Sequence, residues 1–154
     1  MRSTFFAAAA FLAATLPATS ETREILTYDA VAKGISACVA LASENDWNMS
    51  ITVVDRGDNP LATTRMTQAL PFTYTASGLK ASSALAWGMP TSDIETYIAD
   101  KPQFRALPGL LTVGGGLPIT STDGVLIGAI GVVGSSVEND AACAQVAIDA
   151  MHAN

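Results

Sequence analysis

Residues 117–134 read LPITSTDGVLIGAIGVVG. Asp123-Gly124 sits between two apolar, partly β-branched runs, and Asp-Gly in that setting is a strong hairpin signal. Strands over 117–122 and 125–134 follow. The same stretch holds Gly128, Gly131 and Gly134 at a spacing that resembles a nucleotide-binding loop. A phosphate-cradling fingerprint needs its glycines in the turn between a strand and its helix. Here Gly128 and Gly131 fall inside a predicted strand, where glycine marks a bulge or the close approach of another backbone. The segment therefore reads as half of an antiparallel sheet and not as a dinucleotide site.

Beyond it, Ser135 and Glu138 form a predicted capping box. Val137, Ala141, Ala144, Ile148 and Met151 then keep helical spacing to the end of the chain. Before it lie Gly114, Gly115 and Gly116, a loop that is either an anion or ligand contact through exposed N–H groups or simply a flexible turn. Further back, Ser92-Asp93-Ile94-Glu95 reads as another capping box, opening a short helix to about residue 100. Pro71 opens a longer helix that Gly88-Met89-Pro90 stops, with Phe72, Thr75, Ala76, Leu79, Ser83 and Ala86 along one face. A second hairpin is predicted from strands 49–54 and 61–66 around the turn at 56–60. Thr27 is the predicted cap of a first helix carrying Val31, Ile35, Cys38, Val39 and Ala42, and ending near residues 44–46. Two separate hairpins with helices between them imply a single-domain α/β (α+β) fold: an antiparallel sheet with helices packed on it.

Composition narrows the function. The 154 residues are 49% apolar and only 14% charged, with a net charge of -6. An acidic, charge-poor chain lacks the clustered cations that nucleic-acid binding needs, and its hydrophobicity argues against disorder. Residues 1–20 read as a secretory signal: Arg2, an apolar run too short to span a bilayer, Pro17, and a small-residue cleavage pattern at Ala18-Thr19-Ser20. The domain is then 21–154, periplasmic or secreted, with no stable membrane insertion. Seven Lys/Arg and fourteen Asp/Glu remain in it, so the signal does not account for the scarcity of charge. Subunit contact over part of the surface would. In an exported chain Cys38 and Cys143 either form a disulfide or are two small buried hydrophobes.

Catalytic signals are few. The single histidine, His152, lies two residues from the end, so no Ser-His-acid or Cys-His arrangement can form in the domain body, and no zinc cluster exists. Asp55 and Asp58 flank a turn, where Asp serves the backbone. Among the cations, Arg65 at a strand end beside Met66, and Lys80 in mid-helix, are candidates to hold the carboxylate of a small acid or a tetrapyrrole propionate. Arg105 is a weaker third.

In order along the chain stand Val53-Val54-Asp55-Arg56-Gly57, Arg65-Met66, Lys80-Ala81, Leu107-Pro108-Gly109, Gly115-Gly116-Leu117-Pro118-Ile119, residues 127–134, and Glu138 with Asp140, Cys143 and Ala144. This ordered set resembles the GlcG/HbpS-like haem-binding family from about Thr27 to Met151. The resemblance implies a profilin-like fold, oligomers built from dimers, and secreted members that bind haem. It also implies that the first and last helices can lie side by side, which favours a Cys38–Cys143 bridge. On it, Arg65, Met66 and Lys80 would hold the ligand, and Gly114, Gly115, Gly116 and Pro118 would wall the site. The chain departs from the family at Thr67-Gln68, where Asp-Gly is common, and in lacking a histidine in the domain body. An iron ligand would come from His152, Met66, Met89, Tyr74 or Tyr97. The leading expectation is an exported, non-enzymatic, oligomeric binding protein for haem or a related tetrapyrrole. The alternatives are an enzyme or sensor for a small hydroxy-carboxylate of the glycolate type, and a structural or partner-binding module.

Overall fold

Thr27 is extended (φ -92°), and its hydroxyl accepts from Ala30 N–H, which starts α1 (Tyr28–Glu44) where the sequence places it. The computed structural model describes residues 24–153, so the signal expected at 1–20 lies outside the described residues. Val31, Ile35, Cys38 and Ala42 form the buried face of α1. They pack on Cys143, Ala144, Ala147 and Met151 of α4 (Val137–His152). The two helices touch closely at Gly34, where a Cβ would come within 2.7 Å of the Ala147 carbonyl oxygen. Cys38 and Cys143 are joined in a disulfide between them.

The sheet is built from the two predicted hairpins. β1 (Ser50–Asp55) pairs with β2 (Pro60–Arg65), and β3 (Gly116–Thr120) with β4 (Leu126–Val133), all antiparallel. The hairpins join through β1 and β4, from Ser50 opposite Val133 to Asp55 opposite Gly128, giving the order β2-β1-β4-β3. Period-two alternation splits the central strands between two layers. Ile51, Val53, Ile130 and Val132 face α1 and α4, whereas Val54 and Ala129 face α2 (Pro71–Trp87). Every residue of β1 but Asp55 is buried, so no face of that strand is left to water.

The α2 layer departs from expectation. The helix has the predicted limits, from Pro71 in its first turn to Gly88 in the left-handed region (φ 63°). Its buried residues, however, are Thr73, Ser77, Lys80, Ala81, Ser83, Ala84 and Leu85; of the predicted stripe only Ser83 is buried, Ala76 is partly buried, and Phe72, Thr75, Leu79 and Ala86 are exposed. Hydrogen bonding settles the rotation: Thr73 and Ser77 hydroxyls meet those of Ser50 (2.7 Å) and Thr52 (2.8 Å) on β1. Buried hydroxyls need such partners. Gly131 of β4 lets the helix backbone settle on the sheet, since a Cβ there would lie 2.0 Å from the Ser77 carbonyl oxygen.

Both predicted capping boxes are corrected. α3 (Thr91–Tyr97) starts one residue before Ser92 and has no side-chain cap; Ser92 Oγ donates to the neighbouring Asp93 carboxylate instead. Glu95 turns to Arg105 and Thr112. In α4 the cap is Ser136, accepting from Asn139 N–H, while Ser135 N–H donates to Asp140 Oδ1. A short 3₁₀ turn, Pro102–Ala106, follows α3 and brings Phe104 edge-on to Trp87. Among the described residues, no helix is long and apolar enough to cross a membrane.

Candidate functional site

Because Ser50 pairs with both Arg65 and Val133, the start of β1 and the ends of β2 and β4 meet at one end of the sheet. α2 begins there too. Between them opens a cleft of about 430 Å³, within the ~300–1,000 Å³ range of small-molecule sites. One wall is Trp47 and Asn48, set by the end of α1, where Asp46 takes a left-handed conformation (φ 57°) and Trp47 N–H returns to the Ala42 carbonyl. A second is the β2–α2 connection with Gln68, Ala69 and Leu70, continued by Phe72 and Thr73. Gly134 and Ser135 form the third. Leu70 (61%) and Phe72 (63%) are well exposed.

Arg65 and Met66 hold the second wall. The Arg65 guanidinium donates to the carbonyl of Ala69, which lines the cleft. Met66 N–H bonds to the Met49 carbonyl and the Met66 carbonyl accepts from Ala69 N–H, both at 2.9 Å. The Met66 thioether accepts from Met49 N–H at 3.4 Å. Arg65 is exposed and Met66 half-buried.

Lys80 is corrected from a surface anchor to an internal one. It is 2% exposed, and Nζ donates to Asp140 Oδ2 and to the Val132 carbonyl, both at 2.9 Å. Asp140 in turn holds the third wall by accepting from Ser135 N–H at 3.0 Å. Burial pushes the Asp140 carboxyl above the usual carboxylate range, against the opposing pull of the Lys80 charge. The three glycines are corrected likewise. All are buried instead of presenting an open loop, and Gly115 makes room for this pair. A Cβ on Gly115 (φ 109°) would lie 2.9 Å from Lys80 Nζ and 2.7 Å from Asp140 Cβ. One on Gly116 would lie 2.5 Å from the Lys80 carbonyl oxygen, and one on Gly114 2.6 Å from Val137 Cγ1. Gly116 N–H is taken by Thr91 Oγ1. Pro118 sits half-buried in β3, opposite Ala129, and does not line the cleft.

The structure thus divides the expected residues into two sets, each bracing one wall. The residue that sequence reasoning passed over as a site member is Asp140, although one signal was present. It lies three and four positions before Cys143 and Ala144, and so puts an acid on the buried stripe of α4. Trp47 and Phe72 carried no signal, since the walls come from separate segments.

The remaining candidates lie elsewhere. Arg105 pairs with Glu95 at 3.0 Å beside a second hollow of about 460 Å³. The Thr112 hydroxyl, then Arg105, hold the Glu95 carboxyl below its ordinary range. Asp55 accepts from the N–H groups of Gly57 and Asn59, a turn role. Tyr97 packs edge-on against Trp87, and Tyr74 is exposed on α2. His152 is the exposed last residue of α4, at the end far from the cleft. Among the described residues, no group of three His, Cys, Asp or Glu is placed to hold a metal ion.

Comparison with known proteins places this geometry. A family model described as haem degrading protein HbpS-like matches residues 26–149. Protein GlcG of Escherichia coli strain K12 is 33% identical over 113 residues, which are 73% of this chain and 84% of that protein. The crystal structure of HbpS is 32% identical, covers 89% of this chain and 97% of its own, and superposes with a TM-score of 0.78. A PduOC:haem complex is 26% identical, with coverage of 85% and 98% and a TM-score of 0.77.

Proposed function

The chain belongs to the HbpS-like family, and from that premise we propose that it is an exported, self-associating binding protein for haem or a related tetrapyrrole. The observation that carries the reading is the sheet-end cleft. Trp47, Leu70 and Phe72 offer apolar faces to a flat macrocycle, Gln68 lines one wall and Asp46 another, and the exposed Arg65, bonded to the Ala69 carbonyl of the Gln68 wall, is the cation proposed to turn to a propionate. That a relative of the same fold forms a complex with haem supports it.

The residues fit the macrocycle and its carboxylates better than they fit iron. Among the described residues, no His, Cys, Tyr or Met lines the cleft. Met66 keeps its thioether on Met49 N–H, inside the wall. When bound, haem brings its own redox and axial-ligand chemistry; the chain holds the ring, orients the propionates and shields one face from water. Recognition then does not depend on the metal.

The test is a titration of the mature protein with haemin and, separately, with metal-free protoporphyrin. Both should bind saturably, with dissociation constants within about threefold of each other, because the walls contact ring and propionates. Arg65→Ala should weaken both by about tenfold, the scale of one charge-assisted hydrogen bond. Absence of a saturable Soret change overturns the binding reading. Binding of haemin alone overturns recognition without an iron ligand.

A further inference from the structure

Arg105 is a candidate carboxylate holder from the sequence that the sheet-end cleft does not use. It stands on the 3₁₀ turn Pro102–Ala106, at a hollow of about 460 Å³ that shares no lining residue with that cleft. Four segments build the hollow. α3 supplies Glu95, the turn supplies Arg105, the loop before β3 supplies Thr112, Val113 and Gly114, and α4 begins there with Val137. The walls are fixed before anything binds. The Val113 carbonyl accepts from Thr91 Oγ1 at 2.9 Å, and a Cβ on Gly114 would lie 2.6 Å from Val137 Cγ1, so the loop is seated against both helices.

The hollow carries both signs of charge side by side. Arg105 Nη2 donates to Glu95 Oε1 at 3.0 Å, and both side chains are about half exposed. The second oxygen of Glu95 accepts from the hydroxyl of Thr112, which is buried. The carboxylate is thus anchored from within, and the Thr112 hydroxyl, then Arg105, keep it ionised. Glu95 engages one terminal nitrogen of Arg105, and a guanidinium has five N–H groups in a fork that matches a further carboxylate. An exposed pair holds itself together weakly. A ligand that brings each partner its opposite charge therefore enters between them at small cost. Val113 and Val137, which also line the hollow, leave apolar side chains exposed.

Among the described residues, Arg105 is the one cation and Glu95 the one acid that line this hollow. Asp93 and Glu138 are next in sequence to its lining residues Ser92 and Val137. A simple anion would approach against these acids, and a simple cation would meet Arg105. A zwitterion satisfies both, since its carboxylate and ammonium sit on one carbon and face two adjacent partners of opposite sign. We propose that the hollow binds a free α-amino acid with an apolar side chain: its carboxylate on Arg105, its ammonium on Glu95, its side chain against Val113 and Val137. The site is separate from the sheet-end cleft and does not depend on the tetrapyrrole reading.

Titration calorimetry near neutral pH tests it with L-leucine, with leucinamide, which lacks the carboxylate, and with isocaproate, which lacks the ammonium. Leucine should bind saturably, and each of the others about tenfold or more weaker, the scale of one charge-assisted hydrogen bond. Glu95→Gln should remove the preference over isocaproate, and Arg105→Gln the preference over leucinamide. Circular dichroism should be unchanged in both, because the pair is at the surface. A role in stability alone would not abolish one preference and spare the other. Saturating leucine should also leave a haemin titration unmoved. Lack of saturable leucine binding overturns the site. So do equal affinities for the three probes, or variants that keep both wild-type preferences. Displacement of haemin by leucine puts the amino acid in the sheet-end cleft and overturns a separate site.

Discussion

Lys80 shows how a residue can be singled out by sequence and still be misplaced in role. It is a rare cation in a helix of small residues, which made it a candidate for an incoming carboxylate. The carboxylate it meets is internal, on Asp140, sixty positions away. Nothing local reveals that distance, and Gly115, which makes space for the pair, reads with its two neighbours equally well as an anion-binding loop. Removing one partner strands the other charge in the interior. Lys80→Met should cost about 3–5 kcal/mol near pH 7 in urea unfolding. The sign of its pH dependence follows from Asp140. Burial raises the folded-state pKa of that acid, and loss of Lys80 raises it further. An acid with a raised folded pKa binds its proton more tightly folded than unfolded, so stability is lost as pH climbs from the unfolded pKa to the folded one. The deficit of Lys80→Met relative to wild type should therefore shrink as the pH is lowered from neutrality. An unchanged deficit would mean that Asp140 stays ionised without its partner.

At the scale of elements, the limits of the helices and strands were written locally and their faces only in part. α1 starts at Thr27 as expected because the cap is a bond between neighbours. For α2 the periodicity was real but its apolar stripe faces outward, because hydroxyls on β1 claim Thr73 and Ser77 and no apolar contact could replace those bonds. The Gly128–Gly131 pair was legible as a place of close approach, and the structure supplies the approaching groups: the Val54 carbonyl at Gly128 and the Ser77 carbonyl at Gly131. Gly131→Ala puts a methyl into backbone that cannot rotate aside. It should destabilise by about 2–3 kcal/mol and lower Tm by roughly 10 °C, while Gly78→Ala on the open face should not lower it.

For the whole molecule, the disulfide and the scarcity of charge matter most. Cys38 and Cys143 tie the first helix to the last across 105 positions, nearly the length of the domain. Closing so long a loop restricts the unfolded chain, a stabilisation of about 4–5 kcal/mol in the chain-entropy model. Cys38→Ser with Cys143→Ser should lower the urea midpoint accordingly, and dithiothreitol should lower that of the wild type but not that of the double variant. The low charge has a place in the fold as well: from Met66 to Ser92 the one charged residue is Lys80, which is buried, so the outer face of α2 carries no charge.

By itself the sequence determined the hairpins, the limits of α1 and α2 and the antiparallel class, because turns, caps and periodicities act between residues close along the chain. It also carried the ordered motifs of the family. Only the tertiary structure decided which face of α2 is buried, that Lys80 belongs to Asp140, and that a cleft opens at the sheet end between Trp47, Leu70 and Ser135. Those depend on groups far apart in sequence whose partners are chosen by burial, where an unpaired charge or hydroxyl costs more than any local preference can return.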